Sequence, residues 1–295
     1  MHSAAAARIS LRVRCFFFSR REVAIPDGRQ LARRLGIGRH YRMPARSGQR
    51  TAVLAVLIAA AGTSAQPAEV TAQSLIEGAL DLTRGQASYT EMTMTIQRPG
   101  WKRTLSLVAW TQGREDALIR FTAPPKDAGT ATLKKGERMW TYAPKIGREI
   151  RLPSSMMSQQ WAGSDFSYND LSRTDKYLRH YDFEIVHSEE RDGHIVYTLD
   201  MVPHDDAPVV WGKETLVLRD DYVTLSQTFY DQELKPVKRM QTLEVGELGS
   251  RTIAMAMRMQ SVEKEGSWTE VRYLAADFDA DVDADLFTTF ALRGR

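Results

Sequence analysis

Short segments in which hydrophobic and polar residues alternate occupy most of the chain after residue 90. In the first of them, Met92, Met94 and Ile96 alternate with polar residues, and Pro99-Gly100 then favours a turn. Segments of this kind predict strands at 92–97, 105–109, 115–122, 129–134, 137–142, 147–152, 183–190, 194–202, 213–219, 222–231, 236–246, 251–261 and 267–275. Strands at such regular spacing, with turn residues between them, are typical of an antiparallel barrel or a strongly curved antiparallel sheet.

Hydrophobic residues with a helical period occur at the two ends of this strand-rich region. Residues 67–84 place most of their apolar side chains on one stripe, and Gly85 favours a helix end there. Residues 283–290 have the composition of a short helix that an aspartate caps. We therefore predict a mainly β fold with few helices, in which an N-terminal helix precedes the strands and a short C-terminal helix follows them.

The first 65 residues have a different pattern from the rest of the chain. Residues 43–65 combine Arg46 and Arg50, an apolar run about half as long as a transmembrane helix needs, and small residues up to Ala65. These features predict a secretory signal peptide that is cleaved after Ala65. Residues 1–42 are rich in arginine and are interpreted either as a non-native extension from a mis-assigned start, with Met43 as initiator, or as a long leader. Residues 66–295 are expected to form a single domain.

Charge and cysteine content exclude several classes of function. The first 65 residues carry 12 arginines and two acids, whereas residues 66–295 carry 28 lysines and arginines against 35 acids. A nucleic-acid-binding protein needs a basic surface, and the acidic body argues against that class. Because Cys15 is the only cysteine, the body cannot form a disulfide, a thiol nucleophile or a cysteine metal site.

The body also lacks the patterns that are typical of active sites and metal centres. Its histidines, His180, His187, His194 and His204, show no HExxH-like spacing. A GxSxG elbow does not occur in the chain. We therefore expect no catalytic residues, no metal and no cofactor.

Methionines recur on the faces of two predicted strands. Met92 and Met94 share a face of one strand, and Met255, Met257 and Met259 share a face of another. Thioether side chains are flexible and suit surfaces that accept varied apolar partners, so these faces are candidates for the wall of an acyl-chain cavity. The alternative is that they are ordinary core, and a shift of one residue in register would turn them to the opposite face.

The middle of the chain, residues 129–171, contains a more specific pattern. It resembles the bacterial outer-membrane lipoprotein-sorting family, the LolA-like proteins, in the branch with a Trp-x-Tyr-x-Pro strand and a Gly-Ser-Asp-Phe-x-Tyr-x-Asp loop. The matching residues are Trp140, Tyr142, Pro144, Arg148, Arg151, Gly163, Ser164, Asp165, Phe166, Tyr168 and Asp170. The resemblance extends loosely over residues 70–293.

The resemblance implies an unclosed, strongly curved antiparallel β-barrel like those of LolA and LolB, with a helix over its mouth. It implies a non-enzymatic carrier in the periplasm that shields the acyl chain of a lipid or lipoprotein and works beside an inner-membrane transporter complex. Once processed, such a protein is not an integral membrane protein. The alternatives are an envelope sensor or adaptor that binds a protein partner with the same fold and, more remotely, an envelope hydrolase.

The motif also has a physical interpretation that does not depend on the resemblance. Asp165 and Asp170 are expected to accept hydrogen bonds from backbone N–H groups of an irregular loop, or to pair with Arg148 or Arg151 on the preceding strand. Phe166 and Tyr168, together with Trp140 and Tyr142, are candidates for contact with a ligand. The alternative is that the whole motif holds the barrel rim together.

Overall fold

The computed structural model describes residues 70–172, 177–207 and 209–294, and this part of the chain contains thirteen strands and four α-helices. The predictions for the signal peptide, for the cleavage after Ala65 and for residues 1–42 therefore lie outside the described residues. None of the helices in the described ranges is both long enough and apolar enough to span a bilayer.

The elements follow the predicted order closely. The strands are β1 (Ala87–Arg98), β2 (Trp101–Gln112), β3 (Asp116–Ala123), β4 (Ala131–Lys135), β5 (Arg138–Ala143), β6 (Arg148–Arg151), β7 (Tyr181–Arg191), β8 (His194–Pro203), β9 (Lys213–Arg219), β10 (Thr224–Tyr230), β11 (Pro236–Leu248), β12 (Arg251–Ser261) and β13 (Trp268–Asp277). The helices are α1 (Ala72–Arg84), α2 (Tyr168–Ser172), α3 (Tyr177–His180) and α4 (Thr289–Leu292).

All thirteen strands form one antiparallel sheet. Its strand order is β6-β5-β4-β3-β2-β1-β13-β12-β11-β10-β9-β8-β7. Strands that pair are consecutive in the chain, except that β1 pairs with β13. The sheet ends at β6 on one side and at β7 on the other. This confirms the predicted unclosed, curved antiparallel fold with few helices.

The helix ends differ from the prediction because side-chain caps fix them. Helix α1 begins at residue 72 rather than 67, since Thr71 and Ser74 bond to each other's backbone N–H groups in a capping box. The segment predicted as one helix at 283–290 is a 3₁₀ turn, Ala284–Phe287, followed by α4. Thr288 separates the two because it is extended and its hydroxyl caps α4.

The irregular chain between β6 and α3, here called the cross segment (residues 152–172), packs against the inner face of the sheet. Trp161 is 6% exposed and lies among Met94, Ile96, Leu105 and their neighbours in one of the hydrophobic core clusters. Its ring stacks on Phe121 with 5.3 Å between centroids, and its indole N–H donates to the Thr132 hydroxyl at 3.1 Å. The cross segment therefore fills one part of the concave face, and α1 covers another.

Candidate functional site

A cavity of about 360 Å³ lies beneath helix α1 on the inner face of the sheet. Its wall combines side chains of α1, of the cross segment and of α3 with inward-facing residues of β1, β2 and β10 to β13. The volume is at the lower end of the range, about 300–1,000 Å³, that is usual for small-molecule sites. The cavity is therefore the part of the described fold that we consider as a binding site.

One side of the cavity is apolar and flexible. Met92, Met240 and Met259 line it together with the rings of Phe166 and Phe229. Met240 and Met259 are direct partners across the β11–β12 pair, so that their side chains stand side by side on the same face. Three thioethers and two rings provide a surface that can adapt to an apolar ligand.

The predicted methionine faces are divided between the cavity and its surroundings. Met92 and Met259 line the cavity, whereas Met94 is fully buried in the core beneath Trp161. Met255 and Met257 are half-buried and do not belong to the cavity lining.

The opposite side of the cavity is polar. The hydroxyls of Ser88 and Thr111 lie 2.7 Å apart, and Thr90 follows on the same strand face. Arg84, at the end of α1, and Tyr273, on β13, complete this side of the lining. Burial raises the pKa of the Tyr273 phenol and the nearby Arg84 charge lowers it, with burial the larger effect, so the phenol is a neutral hydroxyl.

A buried hydrogen-bonded group lies against another part of the wall. The Glu214 carboxylate is fully buried and accepts hydrogen bonds from Tyr181 at 2.7 Å, Tyr177 at 3.0 Å and Gln227 at 2.7 Å. Tyr177 and Gln227 also line the cavity. Because these donors compensate the buried carboxylate, this cluster of hydrogen-bonded side chains holds α3 and β10 in place around the cavity.

Asp165 attaches the cross segment to the central strands. Its carboxylate accepts from Arg98 Nη1 at 2.9 Å and from the Thr269 hydroxyl at 2.6 Å, while its own N–H donates to the same hydroxyl at 2.9 Å. Arg98 also donates to the carbonyl of Gly163 at 2.9 Å. This residue therefore holds a structural junction between β1, β13 and the cross segment.

Asp170 forms a second junction, beside the cavity. Its carboxylate accepts from the backbone N–H of Ser167 at 2.7 Å and from the Lys238 ammonium at 2.5 Å. Both charged side chains are nearly buried, with 8% and 11% of their surface exposed. The Lys238 ammonium also lies over the Phe229 ring at 5.3 Å, so that the pair lies next to the apolar side of the cavity, whose lining includes Asp170 and Phe229.

The alternative in which these aspartates pair with β6 is wrong. Arg148 and Arg151 are exposed on that strand, and the ion pairs of the two carboxylates run to Arg98 and Lys238 instead. The other expectation was that the carboxylates accept hydrogen bonds from backbone N–H groups of the loop. Asp170 does so, because the backbone N–H of Ser167 donates to its carboxylate. The cross segment turns away from β6 and crosses the concave face, which places its acids near β1 and β11.

The aromatic residues of the motif occupy different places. Phe166 lines the cavity, and Tyr168 packs half-buried against the core cluster around Trp161. Trp140 and Tyr142 lie on β5 and pack against the buried group that includes Phe287 of the C-terminal 3₁₀ turn. The motif therefore does not form one site.

Several lining residues had no signal in the sequence. Arg84 lies in the last turn of α1. Basic residues are common at this position because they offset the negative end of the helix dipole, so the position alone does not indicate a cavity. Met240, Phe229 and Tyr273 lie on strands in which apolar and polar residues alternate. This alternation indicates which face of the sheet a residue occupies, but not whether another part of the chain covers that face.

Helix α1 is fixed over the cavity by arginines from two hairpins. Arg114 donates two hydrogen bonds to the Asp81 carboxylate, at 3.0 and 2.8 Å. Arg251 donates to the carbonyl oxygens of Asp81 and Leu82 at the last turn of the helix. Both contacts compensate the negative end of the helix and hold its C-terminal turn on the barrel.

A close contact at Gly78 sets the depth at which α1 packs. A Cβ atom at this position would lie 2.3–2.6 Å from the Tyr222 ring, whereas at Gly100 it would meet nothing within 4 Å. In an ordinary helix, glycine to alanine stabilises by up to about 1 kcal/mol. Here we expect Gly78→Ala to lower the free energy of unfolding by about 1–3 kcal/mol, because the ring and the helix must move apart.

Urea unfolding and hydrogen exchange of the α1 amides measure this effect. Gly100→Ala is the control, and its unfolding free energy should change by less than about 0.5 kcal/mol. A stabilised Gly78→Ala variant would show that α1 does not pack as closely as described.

One group of side chains within the described residues has ligand atoms close enough for a metal ion. His194, Asp220 and Asp221 offer atoms that all lie within 4.8 Å of one another. His194 Nδ1 lies 2.7 Å from Asp220, and Asp221 is paired with Arg219. Since these carboxylates already have partners and face solvent, the geometry gives no reason to assign a metal.

Comparison with known proteins identifies the fold. Residues 113–294 match the model of a family described as "Uncharacterized protein"-like. A DUF1329 family protein from Desulfovibrio piger is 23% identical with a TM-score of 0.66 over 75% of this chain and 98% of that one. An outer membrane lipoprotein-sorting protein domain from Vibrio parahaemolyticus is 23% identical, with a TM-score of 0.65 over 76% and 100%.

A LolA superfamily protein from Nitrosomonas europaea is 20% identical, with a TM-score of 0.63 over 76% of this chain and 100% of that one. No curated protein matches the sequence. These likenesses establish a LolA-like fold, as the motif in residues 129–171 predicts.

Proposed function

The chain belongs to the family whose model matches residues 113–294, and from this premise and its LolA-like fold we propose that it is a non-enzymatic carrier of a hydrophobic ligand. The ligand is a lipid, an acylated protein or another molecule with an acyl chain. The observation that supports the proposal is the cavity beneath α1, which Met92, Met240 and Met259 line together with the rings of Phe166 and Phe229.

The binding energy would come mainly from burial of methylene groups. Each buried CH₂ contributes about 0.8 kcal/mol, so that ten of them give about 8 kcal/mol before the cost of ordering the ligand. Methionine walls suit this task because they repack around chains of different length. Ser88, Thr111, Asp170, Tyr177 and Gln227 of the wall are hydrogen-bonded to protein partners, whereas the methionines and rings can adapt to a ligand.

We further propose that the carrier works in the periplasm, after cleavage behind Ala65, and exchanges its ligand with an inner-membrane transporter complex. The features of residues 43–65 support secretion, and the names of the similar structures from Vibrio parahaemolyticus and Nitrosomonas europaea support a role in the envelope. Residues 66–295 form the working domain in this proposal.

Native mass spectrometry tests the proposal directly. Residues 43–295 are expressed with secretion, purified from the periplasm without detergent, and measured before and after incubation with a fluorescent C16 acyl probe. We expect a chain that starts at Gln66 and carries a lipid or takes up the probe. A bare chain that never takes up the probe would contradict the carrier and would favour the adaptor, whose barrel needs no ligand.

A charge placed in the apolar wall should weaken uptake of the probe. We expect Met92→Glu to weaken binding of the C16 probe at least about tenfold, because a carboxylate must be buried beside the chain. Leu274→Glu is the matched control, since Leu274 lies on β13 with 55% of its surface exposed. Probe titration and urea unfolding are measured on both variants, and equal loss of binding in both would contradict the assigned cavity.

A further inference from the structure

We propose that one end of the sheet docks on the surface of a phospholipid bilayer through exposed apolar side chains in its turns. These residues, here called the apolar rim, are Trp101, Ile146, Val210, Leu234 and Val262. The contact is peripheral, because the side chains enter the headgroup region while the sheet stays outside it. The proposal goes beyond the carrier function, since docking on a bilayer requires no ligand in the cavity.

The residues of the apolar rim all lie at the same end of the sheet. The antiparallel strand order brings the β1–β2, β5–β6, β10–β11 and β12–β13 turns to this end, together with the residues that precede β9. Each rim residue has 49–63% of its surface exposed. The apolar side chains therefore project from five separate parts of the chain in one direction along the strands.

Contacts between neighbouring turns place four of these five parts next to one another. Gln97 pairs with Trp268, so the β1–β2 and β12–β13 turns are adjacent. The N–H of Val262 donates to the carbonyl of Val237, beside the β10–β11 turn, and a side-chain amide of that turn donates to the carbonyl of Val210 at 3.3 Å. Since neighbouring strands lie about 4.8 Å apart, this row from β2 to β9 is about 30 Å long.

The opposite end of the sheet has a different composition. Its turns, at 113–115, 136–137, 192–193, 220–223 and 249–250, consist mainly of glycine and charged or polar residues. Among the described residues of these turns, Tyr222 is the one exposed large apolar residue, and its ring packs against α1 at Gly78. Single exposed apolar residues are normal on a protein surface, but here they are concentrated at one end.

The turn that carries Leu234 holds this side chain in the exposed position. The Asp231 carboxylate accepts from the backbone N–H groups of Glu233 and Lys235, both at 2.9 Å. Leu234 itself has a φ of 58°, in the left-handed region where glycine or asparagine is favoured. Because the leucine is exposed and gains little from packing within the chain, its presence in this strained position points to a contact outside the chain.

Lysines next to the rim favour a surface that carries phosphate groups. Lys102 follows Trp101 and Lys145 precedes Ile146, both lysines are exposed, and the turns that carry these pairs contain no acid. The β10–β11 and β12–β13 turns contain acids as well as lysines. The positive charge of the rim is therefore concentrated at Trp101 and Ile146, in a body that is acidic as a whole.

This arrangement suits a bilayer better than a protein partner. Tryptophan is enriched at the membrane interface, and lysine side chains can reach lipid phosphates while neighbouring apolar residues enter the headgroup region. A protein interface has a continuous, closely packed apolar centre, whereas the rim consists of separate side chains with polar residues between them. We therefore assign the rim to a phospholipid surface.

The position of the cavity is consistent with this orientation. Met259 lies three residues before Val262, and Met240 is its partner across the β11–β12 pair. Ser88 and Thr111, on the polar side of the cavity, lie near the opposite end of their strands. A protein docked by the rim would thus hold the methionine side of its cavity nearer to the lipid.

Vesicle flotation tests the docking directly. The secreted protein is mixed with vesicles of phosphatidylethanolamine and phosphatidylglycerol, or of phosphatidylcholine alone, and floated in a density gradient. We expect the protein to float with the first kind of vesicle and more weakly with the second, because only the first is anionic. Replacing both Lys102 and Lys145 by glutamine should remove this difference.

Variants of the rim show which surface is in contact. Leu234→Asp and Val262→Asp should each weaken vesicle binding at least about tenfold, because an apolar side chain that enters the interface is replaced by a charge. Leu274→Asp is the matched control, since Leu274 is similarly exposed but lies within β13, away from the rim. Vesicles with brominated acyl chains should quench the tryptophan fluorescence, and Trp101→Phe should remove most of that quenching.

The outcomes distinguish this proposal from the carrier function. The rim variants should still take up the C16 probe from solution, because their side chains do not line the cavity. A native protein that takes up the probe but floats with neither kind of vesicle would overturn the docking and leave the carrier standing. Equal losses of flotation in Leu274→Asp and Leu234→Asp would show that the rim is not the docking surface. Native protein that binds a protein from the envelope through the rim, and no vesicle, would assign the rim to a protein partner instead.

Discussion

Replacing Trp161 by alanine is expected to lower the free energy of unfolding by about 3–5 kcal/mol, the usual cost of removing a large buried aromatic. The residue is the main attachment of the cross segment: its ring stacks on Phe121, and its N–H bonds to Thr132. Alanine would leave a cavity where three parts of the chain meet. Urea unfolding gives the free energy, and hydrogen exchange shows whether the cross segment opens before the sheet.

Two further variants make this test specific. Trp161→Phe keeps the stacking but loses the bond to Thr132, and should cost about 1 kcal/mol plus the smaller packing loss. Trp101→Ala is the control, because that ring is 49% exposed at the β1–β2 turn, and it should cost less than about 1 kcal/mol. Similar losses at Trp101 and Trp161 would contradict the placement of the cross segment inside the curved sheet.

Breaking the Asp170–Lys238 pair is expected to destabilise the fold strongly. Asp170→Asn leaves the Lys238 ammonium beside Phe229 with 11% of its side chain exposed, and the expected loss is about 3–5 kcal/mol. The double variant Asp170→Asn, Lys238→Met should recover much of that loss, since the buried charge is then gone.

An exposed pair with similar geometry provides the control. Lys235 and Glu233 lie 2.6 Å apart with 72% and 73% of their side chains exposed. Glu233→Gln should change the unfolding free energy by less than about 0.5 kcal/mol, because solvent screens the pair. If the two single substitutions cost the same, or if the double variant recovers nothing, burial does not determine the contribution of Asp170.

The strands could be predicted from the sequence because alternation directly reports the two faces of a sheet. The predicted run 251–261 matches β12, and the strong Asp192-Gly193 turn signal separates β7 from β8 as expected. The strand predicted at 222–231 was too long: β10 begins at 224, because Tyr222 adopts a positive φ of 70° in the preceding turn. Local chemistry was therefore sufficient for the order of the elements.

The cross segment could not be predicted in the same way, because its conformation depends on distant partners. Asp165 bonds to Arg98 and Thr269, which lie 67 positions before it and 104 after it. No local pattern distinguishes such an aspartate from one that caps a turn. The motif was recognisable as a unit, but its contacts were fixed only by the path of the chain across the sheet.

The division of methionines between cavity and core has the same origin. Met92 and Met94 share a strand and a face, yet one lines the cavity and the other lies beneath the cross segment. The alternation of apolar and polar residues predicted correctly which face of the strand these methionines occupy. It could not predict which parts of the chain cover that face, because those parts are α1 and residues 152–172. Arg84 was missed for a related reason: its helix was predicted, but the sequence does not show that this side chain lies on the cavity side of the helix.

The order of the strands has a consequence for how the protein acquires its structure. The centre of the sheet is the seam between β1 and β13, where Tyr89 pairs with Asp277 and Gln97 with Trp268. The first and last strands of the chain thus meet in the middle, while strands from its middle form both edges. Contacts between such distant segments are slow to form because a long loop must close first. The sheet can be completed only when the whole chain is available, so partial chains that end before β13 remain open along the centre of the barrel.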